Sequence, residues 1–315
     1  MKVLAVSAGS KNGSNDAMAK EALMGAQEEG AEIEFINLFD LELKACTGCL
    51  ACMVGKDGLM QGGNGECIFK DDMAWLAEKF YEADGIIWAV PLFESGAPGI
   101  IHIVEDKLFG PTHDPGPLTI AKHIAGEKGT AGPDPRKFVP KVMSFMGIGG
   151  SDWNTRLSAV MNTVAMSPMW KVVDEHIFEW AKSIVVQDEN VARCREIGRN
   201  TAKAAVDPEN AEYVGEPGLC SVCNSRNFYF RSNGVVECEV CGCRGKIVSA
   251  GEKYIFEFDP EQIPLVHTKM PGKMKHMDDI YKNEMQLMED KSKPEYKERK
   301  DKYAAFIKGS KPNAS

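Results

Sequence analysis

The chain has 315 residues, 43% of them hydrophobic, and a formal net charge of −9, which suits one packed domain with smaller additions rather than a disordered chain. The acidic balance argues against nucleic acid as a partner, because phosphates need a basic face. No run approaches the roughly 18 apolar residues of a membrane span, and Met1–Ser7 lacks the apolar core of a secretory leader, so a cytoplasmic protein without a membrane partner is expected.

Residues 3–7 (Val-Leu-Ala-Val-Ser) read as a buried parallel strand. A Gly/Ser/Asn loop follows, then an Ala-rich helix over about 15–29 and a second strand over 32–37. Residues 71–82 read as a helix with Asp71 at its N-cap, and 85–90 as a third apolar strand. Helical sequence resumes at 98–109. The stretch 110–140 carries Pro111, Pro115, Pro117, Pro133, Pro135 and Pro140 and reads as a lid inserted into the domain. A fourth strand over 141–146, a helix over 154–166, a short fifth strand over 170–173 and a last helix over 190–206 complete the alternation. Strands alternating with helices predict an α/β, doubly wound parallel sheet over 1–206. Residues 212–258 are short, strand-like and cysteine-bearing, and 259–315 form a charged helical tail, read as an arm on its own domain or on a neighbouring subunit.

The first strand runs into Ser7-Ala8-Gly9-Ser10-Lys11-Asn12-Gly13-Ser14-Asn15-Asp16. Small residues let the backbone close on a phosphate, and the helix N-terminus adds positive potential. Gly9, Ser10, Lys11, Ser14 and Asn15 are the candidate contacts; an ordinary helix-capping turn is the alternative. Two further loops leave the carboxyl edge of the same sheet, where ligands of open α/β sheets bind. One carries Pro91, Leu92, Phe93, Glu94 and Ser95; the other carries Gly147, Gly149, Gly150 and Asp152, followed by Trp153. Their backbones suit a flat ring system, with Phe93 or Trp153 stacking nearby.

Nine of the ten cysteines fall in two clusters, and Cys194 reads as a small buried residue. Cys46, Cys49 and Cys52 stand at two-residue spacing, which wraps one face of a [4Fe–4S] cubane. Free thiols, a redox disulfide and a zinc site are the competing readings. Cys220-x-x-Cys223 and Cys238-x-x-Cys241 flank Asn233-Gly234, a hairpin signal. Two knuckles on a hairpin predict a closed tetrahedral thiolate site, for zinc ahead of iron, with Cys243 as a spare.

The strand, the loop ending in Asn15, the Pro91-led loop and the Gly147–Trp153 loop together resemble the NAD(P)H-dependent FMN reductase group of flavodoxin-like proteins, and more narrowly its iron–sulfur flavoproteins. The resemblance covers about residues 1–190, interrupted at 110–140. It implies a flavodoxin-like five-stranded sheet, FMN held by these three loops, NAD(P)H as a donor, and a homo-oligomer. Family members usually read Gly-Ser-Pro-Arg where this chain reads Ala8-Gly9-Ser10-Lys11, and often carry Thr where it has Asp16. An acid beside a phosphate is unfavourable, so Asp16 is expected to turn away or cap the helix. The phrase Glu66-Cys67-Ile68-Phe69-Lys70-Asp71-Asp72-Met73 resembles one in the iron–sulfur flavoproteins and implies Cys67 as the fourth cluster ligand, with Met53–Gly65 looping out.

The expected function is that of an FMN-dependent oxidoreductase. It would pass hydride or electrons from NAD(P)H, or from an electron-carrier protein, to a small organic acceptor under the lid. His102, His113 and His123 are the candidate proton donors, with Asp114 and Arg136 in the same region, and Glu94 is the candidate in the flavin loop. The rival reading is a relay module that moves electrons within a complex and has no substrate of its own.

Overall fold

The computed structural model describes residues 1–54, 63–110 and 112–310. Its contacts divide the chain into a compact unit from Met1 to Lys273 and a second unit from Met274 onward. The first unit thus contains the α/β part and the cysteine ribbon together.

Five parallel strands lie in the order β2-β1-β3-β4-β5: β1 Lys2–Ser7, β2 Glu32–Asn37, β3 Gly85–Pro91, β4 Val142–Ile148 and β5 Lys171–Phe178. This is the flavodoxin order, with its switch point between β1 and β3. The strands are apolar throughout because both faces are covered. In β1, Leu4 and Val6 join one layer while Val3 and Ala5 join the other. Past a four-residue α2 (Ala51–Val54), the first layer packs α3 (Met73–Glu82), α4 (Gly99–Val104) and α6 (Leu157–Met166), and Phe80 stacks on Trp88 there at 5.8 Å between ring centroids. The second layer packs α1 (Ser14–Glu28) against α7 (Asp188–Ala204), with Cys194 buried as expected. No described helix is long and apolar enough to cross a membrane.

Several local expectations change. Strand β5 runs eight residues rather than four, because the whole length of β4 is available to pair with it. The N-cap of α3 is Asp72, not Asp71; Asp71 and Asp72 instead accept from the backbone N–H of Lys44 and Glu42 at 2.8 and 2.7 Å, which staples the root of the first cysteine segment to the start of α3. The Pro-rich stretch holds a 14-residue helix, α5 (Pro115–Lys128). Asp114 caps it by accepting from Gly116 N–H at 2.8 Å, and Pro115 and Pro117 sit in the first turn, where a missing N–H costs nothing. The expected loop-out Met53–Gly65 and Pro111 lie partly or wholly outside the described residues.

The ribbon is a second, antiparallel sheet, β6-β7-β8-β9: Phe228–Phe230, Val236–Cys238, Arg244–Ala250 and Lys253–Phe258. Gly234 takes φ +81° in the turn between β6 and β7, as the Asn-Gly signal requires. Two helices follow, α8 (Met270–Ser292) and α9 (Pro294–Phe306), and the first turn of α8 belongs to the compact unit. There Lys273 donates to Asp114 at 2.8 Å and to the Ser167 carbonyl at 2.9 Å.

Candidate flavin site and metal centre

The carboxyl ends of β1, β3 and β4 surround a cavity of about 440 Å3. Ala8, Gly9, Ser10, Gly13, Ser14 and Asn15 form one side; Pro91, Leu92, Phe93, Gly149 and Gly150 form the other. The first loop is fixed from within. Gly13 N–H bonds the Ser10 carbonyl at 2.9 Å, and Asn12 takes φ +57°. Asp16 does turn away from the loop mouth: it accepts from Asn12 N–H at 2.7 Å and from Asn37 Nδ2 at 2.8 Å. Asn37 also donates to the Gly9 carbonyl at 3.1 Å and accepts from Phe39 N–H at 2.9 Å, so one amide joins the loop to the turn that presents Phe39.

The residues fit a phosphate and a ring. Asn15 is 6% exposed and its Nδ2 has no hydrogen-bond partner among the described residues, an expensive state for a buried amide unless a ligand completes it. A Cβ on Gly9 would fall 2.6 Å from the Asn15 side chain, and one on Gly150 would fall 2.5 Å from that of Lys182. Lys182 is the cation that sequence reading missed. It lines the cavity, and its carbonyl accepts from Ser14 Oγ at 3.1 Å. Lys11 instead pairs with Asp40 and does not line the cavity.

A second cavity, also about 440 Å3, adjoins the first; Phe39 and Phe93 line both. Phe93 is 61% exposed and stands on a two-residue hairpin, bonding Gly96 in both directions at 2.9 Å. Glu94 and Ser95, the central residues, take φ +46° and +63°, a conformation normally left to Asn and Gly and costing about 1–2 kcal/mol per residue. Such strain persists where the surroundings enforce it; here the buried Ser95 accepts from Arg156 N–H at 3.0 Å. Glu94 lines the second cavity, while Ser95 and Asp152 line neither. Gly147 lies inside β4, where an added Cβ would meet Leu157 at 2.4 Å, so it serves packing rather than the cavity.

Among the described residues, none from 112–140 lines either cavity. Through Thr112, His113, Asp134 and Lys137 the inserted segment walls a third cavity of about 290 Å3 beside Cys67. His113 is 2% exposed, and burial pushes its pKa down to about 3, which keeps it neutral. His123 lies on the exposed face of α5, 3.4 Å from Glu127.

In the ribbon, Cys220, Cys223, Cys238 and Cys241 bring their sulfurs within 4.8 Å of one another. The Cys220–Cys241 and Cys223–Cys238 separations are 3.7 and 3.6 Å, against roughly 3.8 Å for the edge of a tetrahedron with 2.3 Å metal–sulfur bonds. Each knuckle closes in the same way. Asn224 and Gly242 take φ +57° and +77° and bond back to the carbonyls of Cys220 and Cys238 at 2.8 and 3.0 Å. The site fits one tetrahedral metal ion and leaves out Cys243. In the first cluster, Cys46 and Cys49 are exposed and Cys52 and Cys67 half-buried. Burial and the nearby Cys67, Cys46 and Cys49 push the Cys52 thiol up. These four form no single-ion group among the described residues, but in a cubane each thiolate takes a separate iron and the sulfurs stand farther apart.

A flavodoxin-ordered sheet with a phosphate loop and a ring-sized cavity at its switch point defines a flavin-dependent oxidoreductase. The comparisons agree. The family model of NADPH-dependent FMN reductases matches residues 1–178, and the chain belongs to that family. It is similar to a solved flavone reductase at 43% identity, over 99% of this chain and 100% of that one, with a TM-score of 0.89. It is also similar to a flavone synthase of Aspergillus candidus, 27% identical over 89% of this chain and 88% of that protein. An iron–sulfur flavoprotein of Methanocaldococcus jannaschii is 34% identical over 34% of this chain, which spans about half (51%) of that relative.

Proposed function

We propose that this chain uses FMN, reduced by NADH or NADPH, to exchange a hydride with a flat aromatic acceptor of the flavone kind. The observation that carries this reading is the pair of cavities meeting at Phe39 and Phe93: one has the loops for FMN, and the other is a largely apolar slot beside it. The near full-length likeness to a flavone reductase and to a flavone synthase supports the acceptor class.

When bound, FMN supplies the two-electron chemistry. The residues of the chain hold and orient it. Ser10, Ser14, Asn15 and Lys182 take the phosphate, with the first turn of α1 behind them. Leu92, Gly149 and Gly150 leave a flat bed for the ring. Phe39 and Phe93 keep water from the shared edge and stack on aromatic ligands.

We further propose a [4Fe–4S] cluster on Cys46, Cys49, Cys52 and Cys67, supported by their spacing and by the iron–sulfur relatives, and a structural zinc ion in the ribbon. The cluster would open a one-electron route from a carrier protein. The test is anaerobic turnover: NADH or NADPH with a flavone should consume both in equal amounts. Flavin that bleaches with neither nucleotide, but does so with a reduced carrier protein, would favour the relay reading.

A further inference from the structure

The slot beside the flavin cavity presents a histidine and an arginine to which the function proposed above gives no role. His102 lines it, and its Nδ1 lies 3.1 Å from Oε2 of Glu105, one helical turn on. The Glu105 side chain is 18% exposed, and burial pushes its carboxyl up, with Asp106 adding to the effect and His102 opposing it. The Glu105 carboxyl on Nδ1 fixes the ring and leaves Nε2 as the nitrogen free to exchange a proton. The imidazole is 45% exposed, so water can restore its proton. Arg156 lines the same slot. Its backbone N–H donates to the Ser95 carbonyl at 3.0 Å, which ties the start of α6 to the strained Phe93 turn. The remaining charge is Glu94, and the walls are apolar: Phe39, Phe93 and Val160.

We propose that this slot binds an α,β-unsaturated carbonyl compound, with Arg156 on the carbonyl oxygen and His102 as the acid that protonates the product carbon. The proposal rests on the FMN reading above and adds the proton. Hydride from the reduced flavin forms a C–H bond at the β-carbon. The displaced π pair moves toward the carbonyl, and the Arg156 guanidinium holds the enolate charge. The proton on His102 Nε2 then bonds to the α-carbon, and water reprotonates the imidazole. The alkene gains two electrons and two hydrogens, of which bound FMN, recharged by a nicotinamide, would supply the hydride. Water protonates carbon slowly at neutral pH, so a placed acid contributes roughly 10²–10⁴-fold. Glu105 is a positioning residue.

The test compares two acceptors with the FMN-loaded full chain under anaerobic NADH: flavone or chalcone, which needs a carbon-bound proton, and benzoquinone, whose reduced oxygens take protons from water. In D2O, wild type should place one deuterium on a single face of the α-carbon. His102→Gln should lower enone turnover about 100-fold, and at least ten-fold more than quinone turnover, with deuterium scrambled over both faces. Glu105→Gln should lower enone turnover more than quinone turnover and scramble the deuterium in part, because an amide holds Nδ1 less firmly than a carboxylate. Arg156→Gln should weaken chalcone binding about ten-fold by calorimetry. If His102→Gln does not hold FMN, His102→Asn and Glu105→Gln carry the same comparison. Enone turnover at the wild-type rate, with one-face labelling, in the His102 variants would overturn the proposal alone. Wild type that reduces quinone but no enone would overturn it together with the acceptor class proposed above.

Discussion

Asn227, beside the first metal knuckle of the ribbon, donates from Nδ2 to the carbonyl of Thr155 at 2.7 Å. Thr155 precedes Arg156, whose N–H holds the Glu94–Ser95 turn. A second tie runs alongside: Arg226 meets the buried Glu175 of β5 at 2.9 Å. The ribbon therefore reaches the acceptor slot through two hydrogen-bonded steps. Removing its metal, by chelation or Cys223→Ser, should free the knuckle and raise the acceptor KM several-fold, while bound FMN falls less. Metal analysis, expected at one ion per chain for the ribbon, with parallel KM and flavin measurements, checks this; an unchanged KM in metal-free protein would contradict it.

The buried Asn15 amide predicts a specific loss of cofactor. Asn15→Leu keeps the size but removes the donor. One hydrogen bond to a charged phosphate contributes about 1.5–3 kcal/mol, so FMN should bind roughly ten- to a hundred-fold more weakly. Lys182→Met should act in the same direction, and Lys11→Met much less, because Lys11 is engaged with Asp40. Fluorescence titration of apoprotein with FMN measures all three.

His113 makes stability pH-dependent. Burial is the main cause of its lowered pKa, aided by Lys137 and opposed by the Leu108 carbonyl, and it falls from 6.5 to about 3. Between those values the unfolded chain binds a proton that the folded chain refuses. Stability should therefore be full above pH 6.5 and fall on acidification toward pH 3, by at most about 1.4 kcal/mol per pH unit from this group. Urea unfolding across that range should show a shallower slope for His113→Gln.

Iron and sulfide in anaerobically purified protein should reach about four each per chain if the first cysteine cluster holds its cubane. Cys49→Ser should lower both while flavin and the ribbon metal remain. Sulfide-free protein under those conditions would leave the four cysteines as thiols.

Much of this architecture was legible in the sequence because it is local. Buried strands, the Ser7–Asp16 loop and the two Cys-x-x-Cys knuckles are each contiguous, and their chemistry follows from spacing. The Pro-rich stretch misled because prolines read as breakers, yet Pro115 and Pro117 occupy the tolerant first turn of α5. Lys182, Phe39 and Arg156 were illegible as site residues for another reason. They come from three separate segments that only the sheet's carboxyl edge brings together, and a lone Lys, Phe or Arg carries no spacing signal. His102, His113 and His123 were equal candidates in the sequence, and what distinguishes His102 is Glu105 one turn away on a wall of the slot.

The most direct test of the account is a two-step anaerobic absorbance experiment. The FMN-loaded protein is bleached with one equivalent of NADH or NADPH, and one equivalent of a flavone is then added. Passage of electrons through the adjoining cavities predicts that the flavin band returns as the flavone band disappears, in a one-to-one ratio. A flavin that stays bleached in the presence of flavone, and regains its colour only with oxygen or a carrier protein, would contradict it.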